Sequence, residues 1–408
     1  MGKGLGRRAA TAALAAWATL AASARSAPAT ERRRMQRTPV ALPEPALQVA
    51  AGPDGSLLAV GRSGRLWRAA PGALAVTEIA DGVDGLTPLA VAEGHIAGRR
   101  SDGALWVLDG GRLQTSAALA LAPEAGLLLL ADGVIAVAAA NQGVHNALRL
   151  QSRNERWHVT ARGNDALLPD ARPVLAALDG QGAHIAVLAG PDSQRYPHGV
   201  LGDRIEATQM LLLDRATLAP LRRIALGPDE VFEDISQRRV SLGAQDGLLT
   251  VISGPTGGRL ALIAADPQQA RALEIRASGE PIGTRNRWMS PSADGPHWMS
   301  VHTPHIGGVL HEYKLQGSRL VARRLRTGVS THKLGSRVLD MGSWHEGRLL
   351  LPDQAGTTLL LLDSRQDWAS VAELALPSPV AATVALGAPQ QHAVLLADGQ
   401  VLRVSHSG

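Results

Sequence analysis

Short apolar stretches, rather than amphipathic helices, dominate the chain from residue 46 onward. They are rich in Val, Leu, Ile and Ala, and Asp-Gly, Ser-Gly, Pro-Gly and Gly-Gly pairs separate them. These pairs supply the positive φ that tight hairpins need. Beyond the N-terminal segment, apolar residues do not recur at the helical spacing of 3.6 over eleven or more positions. The pattern therefore predicts an all-β protein built from many short antiparallel strands.

The predicted strands fall into groups of four. Seven complete groups cover residues 46–80, 88–119, 127–161, 173–226, 238–277, 287–326 and 337–376, and three further strands cover 380–405. Thr38–Leu42 can supply the missing fourth strand, so that the two ends of the chain close a ring. A period of about 40–50 residues is typical of radial four-stranded blades. We therefore predict a single β-propeller of about eight blades, or of seven if one group is misplaced.

In its predicted fold the chain resembles the bacterial exported β-propellers, including quinoprotein-like and WD-type rings. The resemblance covers nearly all of residues 38–408 and rests on the period and the hairpin pattern. The Trp-Asp repeat, the regular tryptophan motif of quinone-cofactor propellers and vicinal cysteines are absent, so no closer family is indicated. The alternative is a pair of β-sandwiches, for which Gly163–Arg172 is the best linker segment.

Residues 1–29 have the features of a cleavable signal peptide. A positive segment with Lys3, Arg7 and Arg8 precedes the Ala-rich apolar stretch Ala9–Ala22, and small residues end the segment at Ala29. The Arg7–Arg8 pair alone is a weak sign of twin-arginine export, and the general secretory route is favoured. We expect a periplasmic or secreted protein in which residues 30–37 form a basic flexible tail.

Composition narrows the classes of function. The chain has no cysteine, which excludes disulfides, thiolate metal sites, thiol catalysis and a lipid-modified cysteine anchor. The net charge is +5, and removal of the four basic residues in segment 1–29 leaves +1. Such a balanced chain lacks the basic surface that nucleic acid requires. No apolar run reaches the length of a membrane span, and we expect a monomer.

Long polar loops are predicted on one face of the ring. In a propeller the b–c hairpins and the d–a crossovers emerge on the same face, where strands a to d run from the channel outward. In blades three to seven these connections are long and rich in His, Asp, Glu and Tyr. The candidate ligand-binding residues of this face are His145, Tyr196, His198, Asp203, Glu206, His302, His305, His311 and His332.

Two functions from different classes fit these residues. The favoured hypothesis is a binding or assembly protein that holds an unidentified ligand or protein partner on the loops of blades three to seven. The alternative is a metal-dependent, lactonase-like hydrolase with a divalent metal over the channel, held by His198, His302 and His305.

Weaker options remain for the same loops. Asp165, Asp203 and Glu206 could contribute to a calcium site. A quinone cofactor rests on fold analogy alone. The sequence identifies no catalytic residue, because it contains no nucleophile elbow and no clear Ser/His/Asp set.

Overall fold

Antiparallel strands make up nearly all the regular structure of the computed structural model, which describes residues 34–92, 94–140, 143–339, 341–388 and 390–407. The described strands form three four-stranded sheets and two larger sheets of eight and thirteen strands, which we group by their antiparallel pairing into eight sets of four, the blades. We number the strands β1 to β33 in chain order and call the four positions of a blade a to d, from the channel outward. No helix in the described ranges is long and apolar enough to cross a membrane.

The strands of the first four blades have the following bounds. Blade one has β2 (Ala46–Ala51), β3 (Leu57–Gly61), β4 (Leu66–Ala69) and β5 (Thr77–Ala80). Blade two has β6 (Ala90–Ala92), β7 (His95–Arg99), β8 (Ala104–Asp109) and β9 (Arg112–Ala118). Blade three has β10 (Leu128–Leu130), β11 (Gly133–Ala139), β12 (His145–Arg153) and β13 (Arg156–Arg162). Blade four has β14 (Val174–Ala176), β15 (His184–Asp192), β16 (Glu206–Leu213) and β17 (Pro220–Ala225).

The other four blades follow after a short bridging strand, β18 (Val231–Phe232). Blade five has β19 (Arg238–Ser241), β20 (Asp246–Gly254), β21 (Gly257–Ala265) and β22 (Leu273–Ser278). Blade six has β23 (Met289–Asp294), β24 (His297–His302), β25 (Val309–Gln316) and β26 (Arg319–Thr327). Blade seven has β27 (Ser343–His345), β28 (Arg348–Pro352), β29 (Thr358–Asp363) and β30 (Ala369–Ala375), with a 3₁₀ helix at Ser364–Gln366. Blade eight has β31 (Val380–Ala385), β32 (Gln391–Leu396), β33 (Val401–His406) and β1 (Met35–Pro39).

Neighbouring blades pack through buried apolar side chains. Leu58 of blade one lies in the same cluster as Ile96 and Trp106 of blade two. At the other end of the chain, Leu395 of blade eight clusters with Trp67 of blade one, so the last blade packs on the first. This arrangement is a closed β-propeller, and the predicted fold class is confirmed.

The ring closes through the two ends of the described chain. β1 pairs antiparallel with β33 from Met35 opposite His406 to Pro39 opposite Leu402. The closing strand therefore begins three residues before the predicted Thr38–Leu42, and residues 35–37 of the predicted flexible tail belong to a strand. The predicted signal peptide, residues 1–29, lies outside the described residues.

The segment Gly163–Arg172 is not a linker between two domains. Leu167 and Leu168 are buried in a core that blades three and four share. Leu167 also forms bridges with His145 of blade three and Ala189 of blade four. The predicted alternative of two β-sandwiches is therefore wrong.

A long crossover, which we call the strap (residues 328–339), leaves blade six and reaches the loops of blades three and four. Gly335 N–H donates to the carbonyl of Val200 at 2.9 Å. Arg337 then extends to three carboxylates from three separate loops, listed with their distances: Asp170 at 2.7 Å, Asp203 at 2.6 Å and Glu124 at 3.1 Å. One guanidinium thus ties the strap to connections of blades two, three and four.

The closing blade contains a histidine with no exposed surface. His392 is 0% exposed, and its Nδ1 is hydrogen-bonded to Ser343 Oγ at 2.8 Å. The rings of His406 and His345 lie 5.9 Å and 6.4 Å away. Burial, together with these two imidazoles, lowers the pKa of His392 to about 3.

Replacement of Arg337 by Met is expected to destabilise the fold. Asp170 is 3% exposed and would lose its cation, and breaking a buried pair in this way costs about 3–5 kcal/mol. Because burial raises the pKa of Asp170, the loss should be smaller at pH 5 than at pH 8, since the carboxyl is more easily neutralised in acid. Urea unfolding at both pH values measures this.

The matched control is Arg319→Met, which removes an exposed pair with Glu280. It should change the free energy of unfolding by less than about 1 kcal/mol at either pH. Equal, small losses in the two variants would show that the strap is not held by Arg337.

Acid is expected to destabilise the ring through His392. Its pKa lies near 3 in the folded state and near 6.5 when unfolded, so the unfolded chain takes up the proton first as the pH falls. Between these values this one group raises the unfolding equilibrium constant by about tenfold per pH unit. Urea titrations from pH 7 to pH 4 should therefore give a shallower pH dependence for His392→Leu than for the parent. The exposed His158, changed to Leu, is the control, and parallel curves for all three proteins would contradict the assignment.

Candidate functional site on the loop face

The face that carries the b–c hairpins and the d–a crossovers, here called the loop face, brings three of the predicted histidines together. His198 comes from the long hairpin of blade four, His305 from the hairpin of blade six and His332 from the strap. We call these three residues, with Glu233 and Trp288, the histidine cluster. The last two lie in the crossovers before blades five and six.

A buried carboxylate orients His198. Glu233 is 0% exposed, and its two oxygens are hydrogen-bonded to His198 Nδ1 and to the hydroxyl of Ser253. Burial raises the pKa of Glu233, while the hydrogen bonds from His198 and Ser253 oppose that rise. With Glu233 ionised, His198 donates from Nδ1, and its Nε2 keeps the free lone pair.

The hydrogen-bond partners of His305 and His332 define which ring nitrogens carry the protons. His332 Nε2 lies 2.7 Å from the carbonyl oxygen of Ser336, which can only accept, so this nitrogen carries the proton. His332 Nδ1 therefore accepts from His305 Nε2 at 2.9 Å, and the lone pair of His305 is on Nδ1. Burial lowers the pKa of each ring to about 4, so both are neutral at pH 7.

Trp288 packs against the cluster and fixes its position. Its indole N–H donates to the carbonyl of Glu233 at 2.8 Å, and the residue is 2% exposed. Its ring is parallel to that of His305 at 6.2 Å and lies 4.8 Å from that of His332. The imidazoles are thus fixed by stacking as well as by hydrogen bonds.

The chemistry available here is that of a rigid hydrogen-bond acceptor site. His305 Nδ1 carries a lone pair, and so does His198 Nε2 whenever that ring is neutral; burial, and secondarily the charge that His198 carries when protonated, lower the pKa of His305. Such a pair can accept hydrogen bonds from a ligand. Because the rings are held by buried partners, a ligand would meet them already oriented.

Tyr196 acts as an anchor and not as an exposed contact. It is 0% exposed, its hydroxyl accepts from the backbone N–H of Asn286 at 2.7 Å, and burial raises its pKa to about 12. The guanidinium carbon of Arg285 lies 4.7 Å from the ring centre. Tyr196 therefore fixes the hairpin of blade four to the crossover between blades five and six.

Asp203 and Glu206 belong to an acidic region beside the cluster. Asp203 pairs with Arg337 and caps its own loop by accepting from Ile205 N–H at 2.7 Å. Glu206 is 3% exposed, and burial, with the carboxylates of Glu233, Asp203, Asp170 and Asp234 nearby, raises its pKa well above its usual range.

The other three predicted residues lie elsewhere on the loop face. His302 Nε2 is hydrogen-bonded to the buried Tyr313 hydroxyl at 2.6 Å, and its ring stacks on that of His311 at 3.9 Å. Burial lowers the pKa of His302 to about 3, so it is a neutral interior residue of blade six. His311 Nδ1 donates to the carbonyl of Val309 at 3.1 Å. His145 lies at the hairpin of blade three, where burial lowers its pKa.

The three histidines of the metal hypothesis lie in two places. His302 is engaged within blade six, whereas His198 and His305 belong to the histidine cluster. Asp203 of the predicted calcium set is held by Arg337, and Asp165 lies 3.9 Å from Arg223. Across the described residues, no group of three or more His, Asp or Glu side chains is arranged to hold a metal ion.

The sequence prediction missed the residues that hold the cluster. Glu233, Ser253, Trp288, Asp170 and Arg337 are not among its candidates, although four of them lie in long crossovers. The sequence did carry a signal for Glu233, because this residue directly follows the apolar strand Val231–Phe232. A carboxylate buried at such a place needs a partner.

Comparisons with known proteins give the fold and no family. No protein-family model and no curated protein matches the chain. Among solved structures, BamB from Moraxella catarrhalis is similar with a TM-score of 0.55 and 15% identity, covering 91% of this chain and 96% of that one. Sqt1 from Saccharomyces cerevisiae is similar with a TM-score of 0.53 and 10% identity, covering 89% and 96%.

A third similar structure is the quinohemoprotein alcohol dehydrogenase ADHIIG from Pseudomonas putida HK5. Its TM-score is 0.51 at 11% identity, and the match covers 91% of this chain and 76% of that one. BamB and this dehydrogenase are β-propellers. At such identities the likeness establishes the fold alone, and the chain is a β-propeller of no assigned family.

Proposed function

We propose that the protein is an exported binding or assembly factor that docks a partner protein on its loop face. The observation that carries the proposal is the distribution of exposed aliphatic side chains. Six of the eleven large apolar residues that are exposed in the described ranges lie on this face: Leu47, Leu86, Val144, Ile306, Leu334 and Val338. Only Leu74 and Leu315 lie on the opposite face, and the other three are on outer strands.

The most exposed of these residues lie beside the histidine cluster. Ile306 is 63% exposed and Leu334 is 65% exposed, and they follow closely on His305 and His332, whose rings are hydrogen-bonded to each other. Apolar side chains rimmed by fixed polar groups are typical of protein interaction sites. The anchoring contacts of Tyr196, Trp288 and Arg337 favour a loop surface that is already in its binding shape.

Crosslinking tests the docking face. The photoreactive residue p-benzoylphenylalanine at position 306 or 334, in cells of the native host, should give discrete adducts of higher mass on irradiation. The same residue at positions 74 and 315, which are equally apolar but on the opposite face, is the matched control. Adducts of the same mass and yield from positions 306 and 334 and from positions 74 and 315 would contradict the proposal.

Loss of the apolar contacts provides the second arm of this test. Ile306→Asp with Leu334→Asp should reduce recovery of the crosslinked partner at least tenfold, because charge on a docking surface must be desolvated. Leu74→Asp with Leu315→Asp should leave recovery unchanged. Stoichiometric metal in the purified protein, lost in His198→Ala, would instead favour the hydrolase hypothesis.

Export is tested by the mass of the mature chain. We expect protein from the periplasmic fraction to begin at Thr30, after cleavage behind Ala29. The double variant R7K/R8K should be exported as well as the parent, because the general secretory route needs only positive charge at these positions. Intact-mass spectrometry of the fractions distinguishes the outcomes: an uncut cytoplasmic chain would contradict export, and loss of export only in the variant would indicate the twin-arginine route.

A further inference from the structure

A cavity of about 960 Å³ lies in the channel of the propeller, next to the strap. Inner strands of blades eight, one, two, six and seven line one side of it. The other side is formed by Arg172, residues 236–238 and strap residues 335–339. The volume lies within the range of about 300–1,000 Å³ that small-ligand sites have.

The inner strands expose backbone hydrogen-bonding groups along this cavity. β2, β6, β23, β27 and β31 are each the terminal strand of their sheet, so one edge of each has no strand partner. Since each pairs outward with strand b of its blade, the free edge faces the channel. Such an edge offers alternating N–H donors and C=O acceptors, which is the pattern that an added strand requires.

Two buried side chains of the cavity wall have unmet hydrogen-bonding capacity. Gln237 is 3% exposed, and neither its amide nitrogen nor its amide oxygen has a hydrogen-bond partner among the described residues. The same is true of the hydroxyl of Thr383, which is also 3% exposed. By contrast, the amide of Gln48, on the same wall, bonds the backbone of Thr87 and of Leu89 at 2.9 Å and 3.1 Å.

An unpartnered buried amide is unfavourable, and both a donor and an acceptor are left open at Gln237. Another amide satisfies both at once through two parallel hydrogen bonds. Together with the strand edges, this makes the wall complementary to a peptide backbone rather than to an isolated hydroxyl or ion.

Charge and size define the side chains that such a peptide would carry. The arginines of the wall are already engaged by the protein: Arg238 binds Asp234 at 2.6 Å, Arg337 binds its three carboxylates, and Arg172 donates to the carbonyl of Arg337 at 2.6 Å. The remaining wall consists largely of small and aliphatic residues, including Val49, Ala51, Leu89, Val91, Ala381 and Val384. Nothing there favours a charged side chain.

We propose that the channel is a second binding site, which adjoins the docking surface of the loop face at Leu47, Leu86 and Val338, and that it takes a short extended peptide with small uncharged side chains. The peptide backbone bonds the amide of Gln237, the hydroxyl of Thr383 and the free edge of an inner strand. The strap forms one wall of the site.

The probe is a capped tetrapeptide, acetyl-Ala-Val-Ala-Val-amide, titrated into the mature protein by isothermal calorimetry. It should bind the parent, and at least tenfold more weakly both Gln237→Met and Thr383→Val. Each substitution keeps the shape of the side chain and removes its hydrogen bonds. Both variants should be as stable as the parent or more stable, since they remove buried unpartnered polar atoms, so weaker binding could not be ascribed to misfolding.

Two controls decide the interpretation. The same tetrapeptide with N-methylated amides cannot donate and should not bind, and Gln245→Met, at an exposed glutamine, should bind like the parent. Absence of binding by the parent, equal binding of the methylated peptide, or parental affinity in both cavity variants would each overturn the proposal. The Ile306→Asp, Leu334→Asp protein should bind the tetrapeptide normally, so failure here and failure of the loop-face proposal are separate results.

Discussion

The geometry of the loop face depends on the pairing of Arg337 with three carboxylates. Asp170 is almost fully buried, and a carboxylate in such a place is tolerated only when a cation and further hydrogen bonds compensate its lost hydration. Because Arg337 comes from the strap, its pairing also positions His332 and Ser336 five residues or fewer along the same segment. The histidine cluster, the channel wall and the blade-four hairpin therefore share one electrostatic anchor.

The imidazoles of His305 and His332 are neutral because they are buried. Burial lowers the pKa values of His305 and His332 to about 4. Glu233 is committed to His198 and Ser253, and Asp203 to Arg337. Each acid thus already has a partner, and the two rings complete their hydrogen bonds with each other and with a backbone carbonyl. Such a network has fixed donor and acceptor directions as long as both imidazoles are neutral.

The fold was predictable from the sequence because it rests on local features that repeat. Hairpin pairs such as Asp132–Gly133 and the alternation of apolar stretches recur in each blade, so one misread strand does not change the result. For the candidate site, the sequence predicted only the face of the ring on which it lies. His198, His305 and His332 were among the candidates because long loops carry them, but their partners were not, since the contacts of Glu233 and Arg337 join residues that are 35 and 167 positions apart in the chain. The partner of His302 was not predictable either, because its Nε2 is hydrogen-bonded to Tyr313, eleven residues later on the next strand.

The pairing of β1 with β33 also sets the order of events in synthesis. The partner of Met35 is His406, so this pairing joins the first and the last of the described strands. The ribosome makes β1 before the first blade and β33 only after seven blades, so the eighth blade gains its outer strand late. Until blade eight is made, blades one and seven lack their common neighbour and the ring stays open. The last contact to form is therefore the one that closes the ring.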